Sequence, residues 1–159
     1  MKIIKLILFL VLSLNALELQ QKLPEIEIGS WNSHSLEGRV VALFYIDPDE
    51  KDMNSKFSAL VEKKGYDKSI FVKVAIINLN ATWKPNFVIE KLLASHQKDF
   101  PDTIYLKDKK SLLVEKWGLK DNSADVLIFS KEGKLLFYKD EAMSTKDIQK
   151  ALKIIETHL

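Results

Sequence analysis

Residues 40–65 read VVALFYIDPDEKDMNSKFSALVEKKG, and this stretch decides the fold. Its opening, from Val40 to Ile46, is an unbroken apolar run, the pattern of a strand covered on both faces. Asp47, Pro48 and Asp49 break that strand, and Met53, Phe57, Leu60 and Val61 then recur at helical spacing until Gly65 closes the segment. A buried strand, a short acidic loop and an amphipathic helix in that order form a βα unit whose strand belongs at the centre of a sheet.

The same alternation of signals continues on both sides. Upstream, residues 25–28 alternate polar and apolar side chains as an edge strand would, and residues 29–38 read as a polar loop carrying Trp31 and His34. Downstream, residues 70–79 form a second apolar strand, and a loop follows at Trp83, Lys84 and Pro85. Ile89, Leu92 and Leu93 give one face of a second helix that Pro101 stops. Residues 103–106 are a short strand, residues 112–117 a short helix closed by Gly118, and residues 124–129 a third buried strand. Lys131, Glu132 and Gly133 turn the chain into an antiparallel partner over residues 135–138. Ser144 with Asp147 has the spacing of a capping box, and Ile148, Ala151, Leu152 and Ile155 form the apolar stripe of a final helix. Parallel crossovers followed by an antiparallel pair make a single α/β domain over residues 17–159, a central mixed sheet with helices on both faces. At 159 residues and 47% hydrophobic, the chain has the apolar content for one real core.

The N-terminus reads differently. Lys2 and Lys5 precede an apolar run over residues 6–12, and Ser13, Asn15 and Ala16 follow it, the layout of a secretory signal peptide cleaved after Ala16. The run is shorter than the roughly 20 residues a spanning helix needs, so no permanent membrane span is expected once it is removed. The formal charge of +2 comes from 24 basic and 22 acidic residues, and residues 1–16 hold two lysines and no acid. The remaining chain is therefore neutral, without the basic face that nucleic-acid binding requires.

The chain has no cysteine. An exported domain in an oxidising space without a single sulfur nucleophile is excluded from disulfide exchange, thiol peroxidase chemistry, thiolate metal sites and covalent c-type haem attachment.

The order of elements resembles a thioredoxin-like domain. The loop of residues 35–39 leading into Val40, and the strand Ala124–Phe129 running into the turn at Lys131, Glu132 and Gly133, resemble the corresponding parts of exported thioredoxin-like and peroxiredoxin-like proteins. Within that superfamily the chain resembles the YtfJ-type family of small exported bacterial proteins. Trp31, Asn32 and Ser33 before the first long strand, Trp117, Gly118 and Leu119 in the middle, and residues 123–140 near the end carry the resemblance. It implies a thioredoxin-like fold and a periplasmic address, without a settled activity. Family members are sometimes labelled transcriptional regulators, but an exported protein has no access to the chromosome.

By the same resemblance, residues 47–52 occupy the place where a thioredoxin carries its reactive thiolate, and Ala124 stands where its cis-proline would be. The peptide bond before Ala124 is expected to be trans, because a cis bond before a residue other than proline costs about 2.5 to 4 kcal/mol.

Three groups of residues remain as candidates for replacement chemistry. Asp47, Asp49, Glu50 and Asp52, with Asp121, Ser123 and Asp125 from a neighbouring strand end, form a candidate interaction loop or a set of oxygen ligands for a divalent cation. The alternative is that these acids occupy the first turn of the helix and offset its dipole. His34, His96 and His158 lie in three separate segments, which does not favour a shared metal site. Ser33, His34 and Asp47 supply the residue types of a hydrolase triad, without a nucleophile elbow. Trp31, Trp83 and Trp117 are either partner anchors or covers for the edge of the core, and covering is the expected role. Asn80, Ala81 and Thr82 match a glycosylation acceptor by chance.

From the residues together with the resemblance, the chain is expected to be an exported, non-catalytic thioredoxin-like domain that binds a periplasmic protein or peptide without a cofactor. A cysteine-independent enzyme or a divalent-cation binder using the acidic loop is the alternative.

Overall fold

A computed structural model describes residues 17–159, so the expected signal peptide at residues 1–16 lies outside the described residues. Two short strands, β1 (Glu27–Ile28) and β2 (Trp31–Asn32), form an antiparallel hairpin ahead of a 3-10 turn (Ser33–Leu36). Then follow β3 (Val40–Ile46), α1 (Ser55–Lys64), β4 (Phe71–Asn78), α2 (Asn86–Asp99), β5 (Ile104–Asp108), α3 (Leu112–Trp117), β6 (Ala124–Phe129), β7 (Leu135–Lys139) and α4 (Thr145–His158). The sheet order is β5-β4-β3-β6-β7. β3 lies parallel to β4, and β4 to β5, whereas β6 runs antiparallel to both β3 and β7. The apolar run at residues 40–46 is thus the middle strand of the expected mixed sheet.

Period-two alternation sorts the strand side chains into two cores. Val41, Leu43 and Tyr45 of β3 join Val72, Val74 and Ile76 of β4 and Leu127 of β6 on one face, under Ile26, Leu36 and α3 residues Leu113 and Trp117. Val40, Ala42 and Phe44 join Val126 and Ile128 on the other, against Phe57 and Val61 of α1 and Ile148, Ala151 and Ile155 of α4. α2 sits over the far side of this second face and buries only Ile89, which meets Ile77 and Leu79. Local signals end the helices as expected. Gly65 and Gly118 close α1 and α3 in the left-handed region, at φ 58° and 69°, where a Cβ is strained. Ser144 Oγ accepts from Asp147 N while the Asp147 carboxylate accepts from Ser144 N, a complete capping box.

Two local expectations are corrected. The loop at residues 29–38 contains β2 and the 3-10 turn, so Trp31 stands on a strand. The acids at residues 47–52 do not occupy the first turn of α1, which begins at Ser55 with no acidic residue in that turn. Successive turns hold the intervening chain instead, through Glu50 N to Asp47 O, Met53 N to Glu50 O and Ser55 N to Asp52 O.

Candidate functional site at the carboxyl end of the sheet

β3, β4 and β5 all end at the same edge of the sheet, where β6 begins. In open α/β sheets this edge is where ligands meet the protein. The polar residues at these strand ends are buried and mutually bonded. Tyr45 Oη donates to Asp108 Oδ2 at 3.1 Å, and Leu113 N donates to the same oxygen at 3.2 Å. Asn78, fully buried at the end of β4, donates to Asp121 Oδ1 at 2.8 Å and accepts from Ser111 Oγ at 3.0 Å. Burial and the carboxylate of Asp108 both push the Tyr45 phenol upward, so it serves as a hydrogen-bond donor.

The candidate acids separate into three environments. Asp47 is buried, and its Oδ1 accepts from Asp49 N at 2.8 Å, an Asx turn that starts the loop. Burial raises its pKa, helped by the charges of Asp49, Glu50 and Asp121, while the bond from Asp49 N opposes the rise. Asp49 reaches out to a second loop, where Lys84 Nζ and Thr82 Oγ1 both donate to its carboxylate, the latter at 2.9 Å. Those two bonds hold its pKa below the ordinary range. Asp52 pairs with Lys51 on the surface at 2.7 Å.

Ser123 and Asp125 lie behind the loop. Ser123 Oγ donates to Asp140 O at 2.6 Å. Asp125, paired in register with Tyr45 across β3 and β6, is fully buried and accepts from Lys120 N at 3.0 Å and Tyr138 Oη at 3.4 Å. Its Oδ1 is buried with no partner, and burial pushes its pKa up to about 6. The loop acids and Asp125 therefore do not converge. Among the described residues, no three histidines or carboxylates stand close enough to hold a metal ion.

A residue that sequence reasoning passed over organises the site. Asn54 precedes α1, but its side chain does not cap the helix. Its Nδ2 donates to Ala124 O at 2.6 Å and Glu141 O at 3.2 Å, and its Oδ1 accepts from Met143 N at 2.9 Å. It clips the loop to the start of β6 and the segment after β7. The described residues contain no cis peptide bond, so the bond before Ala124 is trans.

The remaining candidates are dispersed. Ser33 Oγ accepts from Ile26 N, and His34 faces Glu37 and Glu25 at 3.5 and 3.9 Å. Asp47 stands at the opposite end of β3, roughly 20 Å away by the rise of a strand, so no triad forms. His96 is on α2 against Phe100, and His158 bonds Ile154 O at the end of α4. Trp117 is buried with Nε1 donating to Pro24 O at 2.7 Å, and Trp31 packs against the first core, both in covering roles. Trp83 departs from that expectation: it is 86% exposed. It follows Thr82 and precedes Lys84, the two residues bonded to Asp49, and it packs on none of the core clusters.

The fold has close structural counterparts. A putative thiol:disulfide interchange protein DsbE from Chlorobium tepidum superposes with a TM-score of 0.68 at 19% identity, over 90% of this chain and 99% of that one. The fold is thus thioredoxin-like, and a chain with no cysteine is not a thiol redox enzyme. In sequence, an uncharacterised protein YtfJ of Escherichia coli strain K12 is 22% identical over 130 residues, covering 80% of this chain and 71% of the relative. An uncharacterised protein of Haemophilus influenzae is 20% identical over 157 residues, covering 87% of this chain and 85% of the relative. The family described as "Bacterial protein of unknown function (YtfJ_HI0045)" matches residues 11–158, and this chain belongs to it.

Proposed function

We propose that this protein is an exported, non-catalytic thioredoxin-like domain that binds a protein or peptide partner at the carboxyl end of its sheet. The observation that carries the reading is the link between Asp49 and the loop of Thr82 and Lys84, which fixes the exposed Trp83 beside the acidic loop. A large, nearly fully exposed indole held by charge-assisted bonds on both sides is the kind of anchor that dominates protein interfaces. The acids around it supply a polar rim. Export follows from the charged, apolar and small-residue layout of residues 1–16, which are removed after Ala16 in this reading. Among the described residues no helix is long and apolar enough to cross a membrane.

A photoactivatable residue at Glu50, irradiated in intact cells, tests the proposal. A discrete cross-linked product is expected, and Trp83→Ala abolishes it without changing the melting temperature. No discrete product, or one that survives Trp83→Ala, overturns the partner surface. Fractionation tests the address separately. The expected result is a periplasmic chain beginning at Leu17, and an uncleaved cytoplasmic chain contradicts export.

A further inference from the structure

The central sheet has two edges, β5 and β7, and the chain treats them differently. At β7 the N-terminal segment pairs with the outer side, through Gln20 N to Leu135 O at 2.7 Å and Leu135 N to Gln21 O at 2.9 Å. β5 has no such cover among the described residues. Asp108 O accepts from Leu79 N at 2.8 Å, so Ile104, Leu106 and Asp108 turn their main-chain groups toward β4, and Tyr105 and Lys107 turn theirs outward. Among the described residues, no loop or side chain bonds those outward N–H and C=O groups. The β1–β2 hairpin packs beside β5 without a main-chain bond to it. A bare row of donors and acceptors is a template for one more strand.

The side chains along this edge divide by face. Tyr105 and Lys107 point to the α2 side, where Tyr105 Oη donates to His96 O at 3.5 Å and Lys107 Nζ pairs with Glu90 at 3.1 Å. Ile104 and Leu106 point to the other face, where the first core covers them only in part. Ile28 and Trp31 of the neighbouring hairpin, also half-buried, continue that apolar side. Just beyond β5 the chain adds Lys109 and Lys110, both exposed. The acid between these lysines, Asp108, is buried, and its carboxylate is taken by Tyr45 Oη, Lys110 N and Leu113 N. One side of the edge is therefore basic and the other apolar.

We propose that the free edge of β5 holds an extended segment of the partner by strand addition, with acidic side chains toward Lys107 and Lys109 and apolar side chains beside Ile104 and Leu106. This rests on the partner binding proposed above and names the conformation and charge of what is bound. The outward groups recur at every second residue, about 6.5 to 7 Å apart, a spacing that the N–H and C=O groups of a polypeptide match and those of a lipid, sugar or nucleotide do not. Successive side chains of an added strand fall on opposite faces, so a segment that alternates acid with apolar residue meets both sides of the edge. A second copy of this chain is the poorer occupant: its edge brings lysines to lysines, and an edge lysine is a device against the pairing of like edges. Asn80 Nδ2 donates to Ser111 Oγ at 3.3 Å, so a segment on the edge leads to the loop that carries Trp83.

The probe is a capped octapeptide of alternating glutamate and valine, titrated into the isotopically labelled protein as purified from cells and followed by NMR. Saturable shifts of the Tyr105 and Lys107 amides are expected at one peptide per chain, with binding at least tenfold tighter than that of the lysine and valine analogue. Two N-methylated peptides test the main-chain pairing without touching the protein: methylating one alternate set of amides is expected to abolish binding, and methylating the other set to leave it. Lys107→Pro removes an outward N–H that β4 does not use and is expected to abolish binding with the fold kept. Lys109→Glu together with Lys110→Glu is expected to weaken binding more than tenfold. Absence of saturable shifts at the β5 amides overturns the proposal, as does binding that both methylated peptides retain. A dimer formed through β5 that the peptide fails to displace also overturns it. The two readings fail separately. A Trp83-dependent cross-link from Glu50 that Lys107→Pro leaves intact overturns strand addition alone, and peptide binding at the edge with no cross-link from Glu50 overturns the Trp83 surface alone.

Discussion

Two buried polar residues at the carboxyl end of the sheet behave differently from the exposed acids around them. Asn54 satisfies three backbone groups from two distant segments. Removing it leaves buried donors and acceptors without partners, at about 1 to 3 kcal/mol in total. Asn54→Ala and Asn54→Asp are both expected to lower the urea midpoint by that amount, the second because an acceptor then faces Ala124 O. A loss below half a kcal/mol in both variants contradicts the clip. Asp125 gives a pH signature. Its folded pKa of about 6 lies above its ordinary 3.8, so the native state holds the proton more tightly than the unfolded chain. Its contribution to stability is fully present below the ordinary value, is lost as pH rises through the interval to about 6, and is flat above it. The groups facing it are Tyr45, Tyr138, Ser123, Lys120 and Asp140, and of these Asp140 adds to the rise. Asp125→Asn mimics the protonated acid. Relative to the parent, it is expected to gain about 2 to 3 kcal/mol between pH 4 and 7, measured as a difference of urea unfolding curves. A pH-independent difference contradicts the burial account. The acids with lowered pKa, among them Asp49 and Asp147, act with the opposite sign and cancel in that difference.

Among the elements, α2 and α4 are equal in length at 14 residues, but their attachment differs. α4 buries Ile148, Ala151 and Ile155 and starts on a complete capping box. α2 buries Ile89 and has no side-chain cap. Fewer buried apolar contacts mean a lower cost of local opening. Native-state hydrogen exchange is therefore expected to show α2 amides exchanging well before those of α4 and β3. Equal protection across the two helices contradicts this. Ser144→Ala removes the cap and is expected to cost about 1 kcal/mol, seen as a fall of about 2 to 4 °C in melting temperature. The capping box was legible in the sequence because both partners lie within one helical turn. The weak attachment of α2 was not, since Leu92 and Leu93 carry the helical spacing of a buried stripe and only the packed sheet shows that Ile89 is buried, Leu93 is partly covered and Leu92 is exposed.

For the whole molecule, a central sheet with a core on each face means that neither core stands without the other. Leu127 of β6 is fully buried in the first core while its neighbours Val126 and Ile128 belong to the second. Leu127→Ala is expected to cost about 3 kcal/mol and to lower the near-UV and far-UV transitions together. Two separate transitions show that the faces unfold independently. This coupling is also why the central place of residues 40–46 was readable: long apolar runs there and at residues 70–79 and 124–129 are covered on both faces only in the middle of a sheet.

The sequence by itself determined the thioredoxin-like α/β order, the helix ends at Gly65 and Gly118, the capping box and the absence of thiol chemistry. Each depends on residue type or on neighbours a few positions away. Only the tertiary structure decided what the acids do. Asp49 meets Lys84 across 35 residues, Asn54 meets Met143 across 89, and Asp125 loses its water to a strand pairing with Tyr45. Hydrogen bonds and burial over such separations carry no local signature, because they exist only once the sheet brings the strand ends to one edge.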